Sequence, residues 1–218
     1  MFNCYLELNE DNVDLLFVNA VLENLKYGII SLDAMFRQEI TDDFYAYDDY
    51  TFYFFHMQSV LTAQGNIANI LHNDYFQKNR EISAERVSKM RKRLGVDPEK
   101  YPLVGNKAFR NTNMHFDERY FSFKDGVGDY NILKESTQPD VRKEILSTPH
   151  LRTIDLVNWQ YITYDRQKKQ ITLDLRRLRK EMYDMYFAIC TCSLMSSYDS
   201  NNPRCKLIKA EDTDDDQL

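Results

Sequence analysis

Apolar residues recur at three- and four-residue steps from about residue 12 to residue 40, through Val13, Leu16, Phe17, Ala20, Val21, Leu25, Ile29, Leu32 and Phe36. That is the period of a helix with one buried face, and Asp11 or Asn12 can cap its start. A second helical stripe covers about 50–76. It is aromatic at first, through Phe52, Phe55 and His56, then small and polar through Gln64, Gly65, Asn66 and Asn69. Asp48 or Asp49 is its candidate cap. A third, shorter helix is predicted over 83–94, with Ser83 as N-cap and Gly95 and Pro98 as its stop. Its inner face holds Val87, Met90, Arg91 and Leu94, and its outer face Arg86, Lys89 and Arg93. A fourth starts near Lys107, runs through Phe121, and is closed by Gly126 and Gly128.

Beyond it the pattern changes. Residues 130–151 read as irregular, with Pro139 and Pro149. Residues 153–164 and 170–174 are β-rich around the polar stretch 165–169, which is a hairpin signal. A last helix is predicted over 175–195, on the stripe Leu175, Leu178, Met182, Met185 and Ile189. Two strands do not make a stable unit alone, so the hairpin must pack on the helices. The expected fold is therefore mainly α: a helical bundle over 1–125, then an irregular segment, a β-hairpin and a C-terminal helix over 126–198. An acidic tail, expected to be disordered, fills 199–218.

Composition narrows the class. Of 218 residues, 43% are hydrophobic and 28% charged, which suits a folded domain with a proper core. Only six Gly and five Pro interrupt it, which agrees with long helices. No apolar run approaches the roughly 20 residues that span a bilayer. The opening Met1-Phe2-Asn3-Cys4-Tyr5-Leu6-Glu7 has no basic start and no apolar stretch, so it does not resemble a signal peptide. The expectation is a cytoplasmic protein with no membrane partner. Cys4, Cys190, Cys192 and Cys205 lack zinc or redox spacing and read as reduced structural thiols. The net charge of −6 argues against non-specific grip on nucleic acid over the whole surface, so any RNA contact has to be local and basic. Part of the negative charge sits in Glu211-Asp212-Thr213-Asp214-Asp215-Asp216.

The stretch that carries candidate chemistry is Arg110-Asn111-Thr112-Asn113-Met114-His115, continued by Phe116-Asp117-Glu118-Arg119. On a helix Asn111, His115 and Arg119 lie four residues apart on one face. Arg110 is about 140° from His115 around a regular helix, so the two converge best if Arg110 sits in the first turn. A histidine that titrates near neutrality can take a proton from a ribose 2′-hydroxyl or give one to a leaving 5′-oxygen. An arginine can hold a phosphate through two hydrogen bonds and stabilise the charge of a phosphorane. His56, His72, His115 and His150 are dispersed, so no metal site is expected, and no glycine-rich loop suggests a nucleotide cofactor.

This Arg-Asn-x-x-x-His pattern, late in a bundle after three predicted helices, resembles the motif of the HEPN superfamily over roughly the first 125 residues. The resemblance implies a metal-independent endoribonuclease with Arg110, Asn111 and His115 as catalytic residues, acting in a toxin–antitoxin or defence system. It also implies a homodimer that brings two such pairs to one cleft. Arg119, Arg86, Lys89 and Arg93 are the candidate RNA-binding residues. The alternative is a non-catalytic helical interaction module of the same fold with a protein partner; a third reading is a nucleotide-binding companion of a nucleotidyltransferase.

Plainer readings stand beside each residue. His115 can be a half-buried structural histidine held by Asn111 or Asp117. Arg110 can pair with Asp117 or Glu118. Arg119 and the basic set Arg86, Lys89, Arg91, Lys92, Arg93 suit solvated helix faces. The same caution applies to Arg176, Arg177, Arg179 and Lys180. The aromatic run from Tyr45 to Phe55 suits a core or a dimer interface better than base stacking.

Overall fold

The computed structural model describes residues 10–38, 47–71, 80–106, 108–114, 130–147, 152–165, 167 and 169–191. His72, His115, Arg119, His150, Cys4, Cys192, Cys205 and the segment 199–218 lie outside the described residues, and the side chain of Arg93 is likewise outside them.

Helix α1 spans Glu10–Arg37 and α2 spans Tyr47–Leu71. The buried positions of α1 are Val18, Val21, Leu25, Ile29, Leu32 and Met35, the stripe that the sequence period marks. Those of α2 include Tyr53, Met57, Leu61, Gln64, Ala68 and Leu71. The two helices are antiparallel neighbours. Asn66 donates to Asn24 across their outer seam at 3.0 Å, and Gly28 of α1 faces Ala63 of α2. Helix α3 spans Arg80–Leu94, three residues earlier than its predicted start, so Ser83 is internal to it rather than its cap. Gly95 ends it at φ 64°, a conformation that glycine adopts without strain.

A short 3-10 turn, Pro98–Lys100, leads into α4, Ala108–Met114. The sheet follows. Strands β1 (Tyr130–Leu133), β2 (Arg152–Asp155), β3 (Gln160–Tyr164) and β4 (Gln170–Asp174) lie in the order β1-β2-β3-β4. Helix α5, Pro139–Ser147, crosses from β1 to the parallel β2. The other pairs are antiparallel. Helix α6, Leu175–Thr191, starts directly from β4, with Asp174 accepting the Arg177 N–H at 2.9 Å as its cap.

Two sequence expectations are corrected here. Residues 130–151 are not irregular: they hold β1 and α5. Pro139 reads as a breaker but occupies the first position of α5, where its missing N–H costs nothing. No residue of α5 is buried. The expected hairpin is there, β3 pairing antiparallel with β4 around 165–169, but it is not alone, because β1 and β2 extend it. The 153–164 run splits at Leu156–Trp159, where Asp155 accepts from the Val157 and Asn158 N–H groups and Trp159 takes a φ of 51°. The result is a four-stranded mixed sheet.

Register places Ile132, Ile154, Tyr161 and Leu173 on one sheet face. That face joins α1, α2 and α6 in a single apolar core. On the other face Leu133, Thr153, Asp155 and Ile162 are also buried. Gly28 matters to the assembly: a Cβ there would lie 2.6 Å from Met182 Sδ, so α6 approaches α1 as closely as a glycine permits. No helix among the described residues is long and apolar enough to cross a membrane.

Candidate functional site

The Arg-Asn motif lies on α4, whose entry is built from two distant helices. Glu181 of α6 is buried, and its Oε2 accepts the N–H of Leu103 (2.7 Å) and of Val104 (3.3 Å). Its Oε1 accepts from Arg177 Nε at 3.1 Å. Gln64 of α2 donates its side-chain amide to the Leu103 carbonyl. The turn is closed by Asn106 N–H to Leu103 O at 3.1 Å, and Asn106 Oδ1 then accepts the Ala108 N–H at 2.9 Å. Phe109 is buried in the common core and anchors α4.

These contacts fix where Arg110 starts. It is the third residue of α4, in the first turn, the position from which its side chain converges best with a residue one turn on. Its aliphatic stem lies in a notch of α2 made by Gly65. A Cβ built on Gly65 would stand 2.4 Å from Arg110 Cγ, 2.8 Å from Cδ and 3.1 Å from Cβ. Only glycine leaves that space without displacing the arginine. Arg110 and Asn111 are both half-buried, an environment that strengthens charge-assisted hydrogen bonds relative to bulk water.

Of the candidate RNA-binding residues, Arg86 and Lys89 have described side chains. Arg86 is half-buried with its guanidinium 5.0 Å from the Phe17 ring centroid, a cation–π contact with α1. Lys89 and Lys92 are exposed. Arg91 turns inward, its Nε donating to the Leu71 carbonyl at 3.0 Å and satisfying an end of α2. On α6, Arg177 serves Glu181, Arg179 donates to Asp33 at 2.6 Å, and Lys180 reaches Asp184 at 3.0 Å. Arg179 also lies 5.6 Å from the Phe36 ring, and Tyr183 donates its hydroxyl to Asp33 at 2.6 Å. Of these cations only Arg179 links α6 to α1, while the Arg177 and Lys180 pairs lie within α6.

The aromatic run divides too. Tyr53 is fully buried, Phe52 and Phe54 pack against the core, and Tyr50 and Phe55 are exposed. Burial first, and the Asp49 charge second, push the Tyr53 hydroxyl up to about 12. Asp49 is not a helix cap: it is buried and receives Lys134 Nζ at 2.7 Å, joining α2 to the end of β1. Burial lowers the His56 pKa. This cluster sits on α2 about 24 Å from Gly65 by helix rise, measured from Asp49, so it is no part of the Arg110 neighbourhood. Among the described residues no group of His, Cys, Asp or Glu is arranged to hold a metal ion.

Sequence reasoning missed Glu181 and Gln64 as supports of the motif. The signal was present: Glu181 lies beside Leu178 and Met182 on the apolar side of α6, and a carboxylate there needs buried donors. Comparison with known proteins finds no matching family model, no similar curated protein and no similar solved structure.

Proposed function

We propose that the chain is a HEPN-like protein that cleaves RNA without a metal, with Arg110, Asn111 and His115 as its catalytic residues. The observation that carries this reading is the Gly65 notch. A merely solvated arginine needs no such seat, whereas one that must meet a phosphate at a fixed place gains from having its stem held. In the proposed step His115 takes the proton of a ribose 2′-hydroxyl. The 2′-oxygen attacks the adjacent phosphorus, the bond to the 5′-oxygen breaks, and that oxygen leaves with a proton from a second acid. Arg110 hydrogen-bonds the non-bridging oxygens as charge builds on them, and Asn111 orients the imidazole or the phosphate. The products are a 2′,3′-cyclic phosphate and a 5′-hydroxyl.

A homodimer supplies the second acid in this reading, the His115 of the other copy. One feature of the surface supports self-association. From Tyr50 to Leu71, α2 carries no Asp, Glu, Lys or Arg, yet Thr51, Phe55, Gln58, Thr62 and Asn66 are exposed. Beside them on α1, Tyr27 and Ile30 are 58% and 62% exposed. Depletion of charge with exposed aromatics is the composition of an interface core. Amide and hydroxyl groups, each donor and acceptor at once, can also pair with their own copies across a twofold axis. A cytoplasmic role in a toxin–antitoxin or defence system belongs to the same proposal.

The test is incubation of purified protein with RNA in EDTA. Cleavage that leaves cyclic phosphate ends, and that disappears in His115→Ala and in Arg110→Ala, supports the reading. Cleavage unchanged in both variants, or none by the wild type, refutes it. The alternative, a non-catalytic interaction module, is favoured by the α3 and α6 cations that are engaged internally. It is supported if wild type binds no RNA and His115→Ala lowers the melting temperature.

A further inference from the structure

We propose that the corner where α1 ends and α6 begins is a second RNA contact: Arg37, Arg176 and Arg179 hold phosphates of a single strand, and Trp159 stacks on one of its bases. Arg179 of α6 donates from Nε to Asp33 Oδ1 of α1 at 2.6 Å. Arg37, one turn after Asp33, lies 3.9 Å from Oδ2. Two guanidinium groups therefore flank one carboxylate. Arg176 precedes Arg179 by three residues, on the same side of α6. Three cations against Asp33 leave two positive charges at this corner. Asp174, the next carboxylate along the chain, accepts the Arg177 N–H as the α6 cap. The charges face water: Arg176 is exposed, and the side chains of Arg37 and Arg179 are 81% and 42% exposed.

A row of aromatic rings runs beside the cations. The Arg179 guanidinium lies 5.2 Å from the Tyr183 ring centroid and 5.6 Å from that of Phe36. The Trp159 ring lies 4.1 Å from Phe36 at a tilt of 32°. Among the described residues Trp159 ends this row, and it is only half-buried. Its carbonyl accepts the Leu175 N–H at 2.9 Å, which ties it to the start of α6. Its φ of 51° is the one positive value outside glycine among the described residues, in a region that bulky side chains rarely enter. Such conformations persist where the surroundings over-determine them, and they gather at binding sites.

A ring already held in place beside exposed guanidinium groups is the combination that single strands use. Bases stack on the ring whatever their identity, while the cations follow the backbone. Arginine suits the second task because its planar fork meets a phosphate through two hydrogen bonds. The patch is not the cleavage site. Glu181, which holds the turn before α4, is two residues from Arg179, about 200° around α6. The two lie on opposite sides of that helix, so the patch grips a part of the strand away from the bond that breaks. The choice of RNA rests on the reading above, but the contact can be measured without cleavage.

Trp159 is the single tryptophan of the chain, so its emission reports on this corner alone. The test titrates the full chain with a short oligouridylate whose 2′-hydroxyls are methylated, which removes the nucleophile. Quenching of Trp159 that saturates is expected. R37Q combined with R176Q, both at exposed positions, should weaken binding at least roughly fivefold at low salt. The slope of log affinity against log salt should shrink by about 1.4, or about 0.7 for each lost phosphate contact. Trp159→Ala, followed through the anisotropy of a labelled oligonucleotide, should weaken binding at least roughly fivefold for one lost stack. No binding, binding that leaves Trp159 emission unchanged, or equal affinity in the double arginine variant overturns the proposal. Equal quenching by uridine monophosphate alone identifies a single-nucleotide pocket and overturns the strand contact. Quenching without cleavage of ordinary RNA leaves this contact standing and removes the catalytic reading; cleavage without quenching does the reverse.

Discussion

Replacing Gly65 with alanine tests the seat of Arg110 directly. In an ordinary helix interior the change stabilises by about 1 kcal/mol, since glycine is the poorer helix former. Here the new methyl would lie 2.4 Å from Arg110 Cγ and 2.8 Å from Cδ, and 3.1 Å from a Cβ that is fixed to the α4 backbone. Rotating the arginine clears Cγ and Cδ at the expense of its position; moving α4 strains the Phe109 anchor and the Asn106 turn. Overpacking of this kind costs about 1–3 kcal/mol. The net expectation is a loss of about 0–2 kcal/mol, or a melting temperature lower by a few degrees for a chain of this size. In an Arg110→Ala background the two closest atoms are gone, and Gly65→Ala should recover most of its usual gain. Urea denaturation of wild type, both single variants and the double variant gives the coupling energy, expected at about 1–3 kcal/mol. A Gly65→Ala that stabilises equally with and without Arg110 would refute the notch. If Arg110 also meets RNA, Gly65→Ala should lower cleavage while the protein stays folded.

Three further outcomes follow from single contacts. Tyr53→Phe should be neutral or stabilising by about 1 kcal/mol, because its buried hydroxyl has no hydrogen-bond partner among the described residues. The fold favours the neutral phenol, so Tyr53 contributes stability below pH 10 that is lost as pH rises toward about 12; in alkaline titrations of stability the Phe variant should lose less over that window. Asp155 is 1% exposed, takes Arg142 at 2.5 Å and accepts two backbone N–H groups, so Asp155→Ala should cost about 3–5 kcal/mol in chemical denaturation, and Arg142→Ala, which leaves that buried carboxylate without its counter-ion, a comparable amount. Thr62→Arg places like charges across the proposed α2 interface; sedimentation should show wild-type dimers and variant monomers with an unchanged helical spectrum, and a variant that still dimerises would remove α2 from the interface.

The helices were legible because each buries one side. The stripe Val18 to Met35 repeats at helical steps, and α1 lies within three residues of its predicted ends. Failures occurred where that physics is absent. Helix α5 has no buried residue, and Pro139 and Pro149, read as breakers, hid the helical spacing of Val141, Ile145 and Leu146. Strand β1 is four residues long and pairs in parallel with β2, too short for alternation to be read. The split between β2 and β3 depends on Asp155 serving a turn and an arginine from another element, which no local pattern encodes.

The candidate site shows the same division. Arg110 and Asn111 could be picked out by residue type and spacing, because their chemistry is local. Their support could not, because it comes from residues 39 and 78 positions away from Leu103. Glu181 illustrates why the distinction matters. Its carboxylate holds the Leu103 and Val104 N–H groups, and the turn they belong to sets the start of α4. Glu181→Gln keeps the shape but replaces one carboxylate oxygen by an amide, so the turn loses an acceptor or Arg177 does. If the chain cleaves RNA as proposed, such a variant should lose turnover through a misplaced Arg110, with a melting temperature lower by only a few degrees. A Glu181→Gln protein that cleaves like wild type would mean that α4 is placed by Phe109 and the Gly65 notch alone.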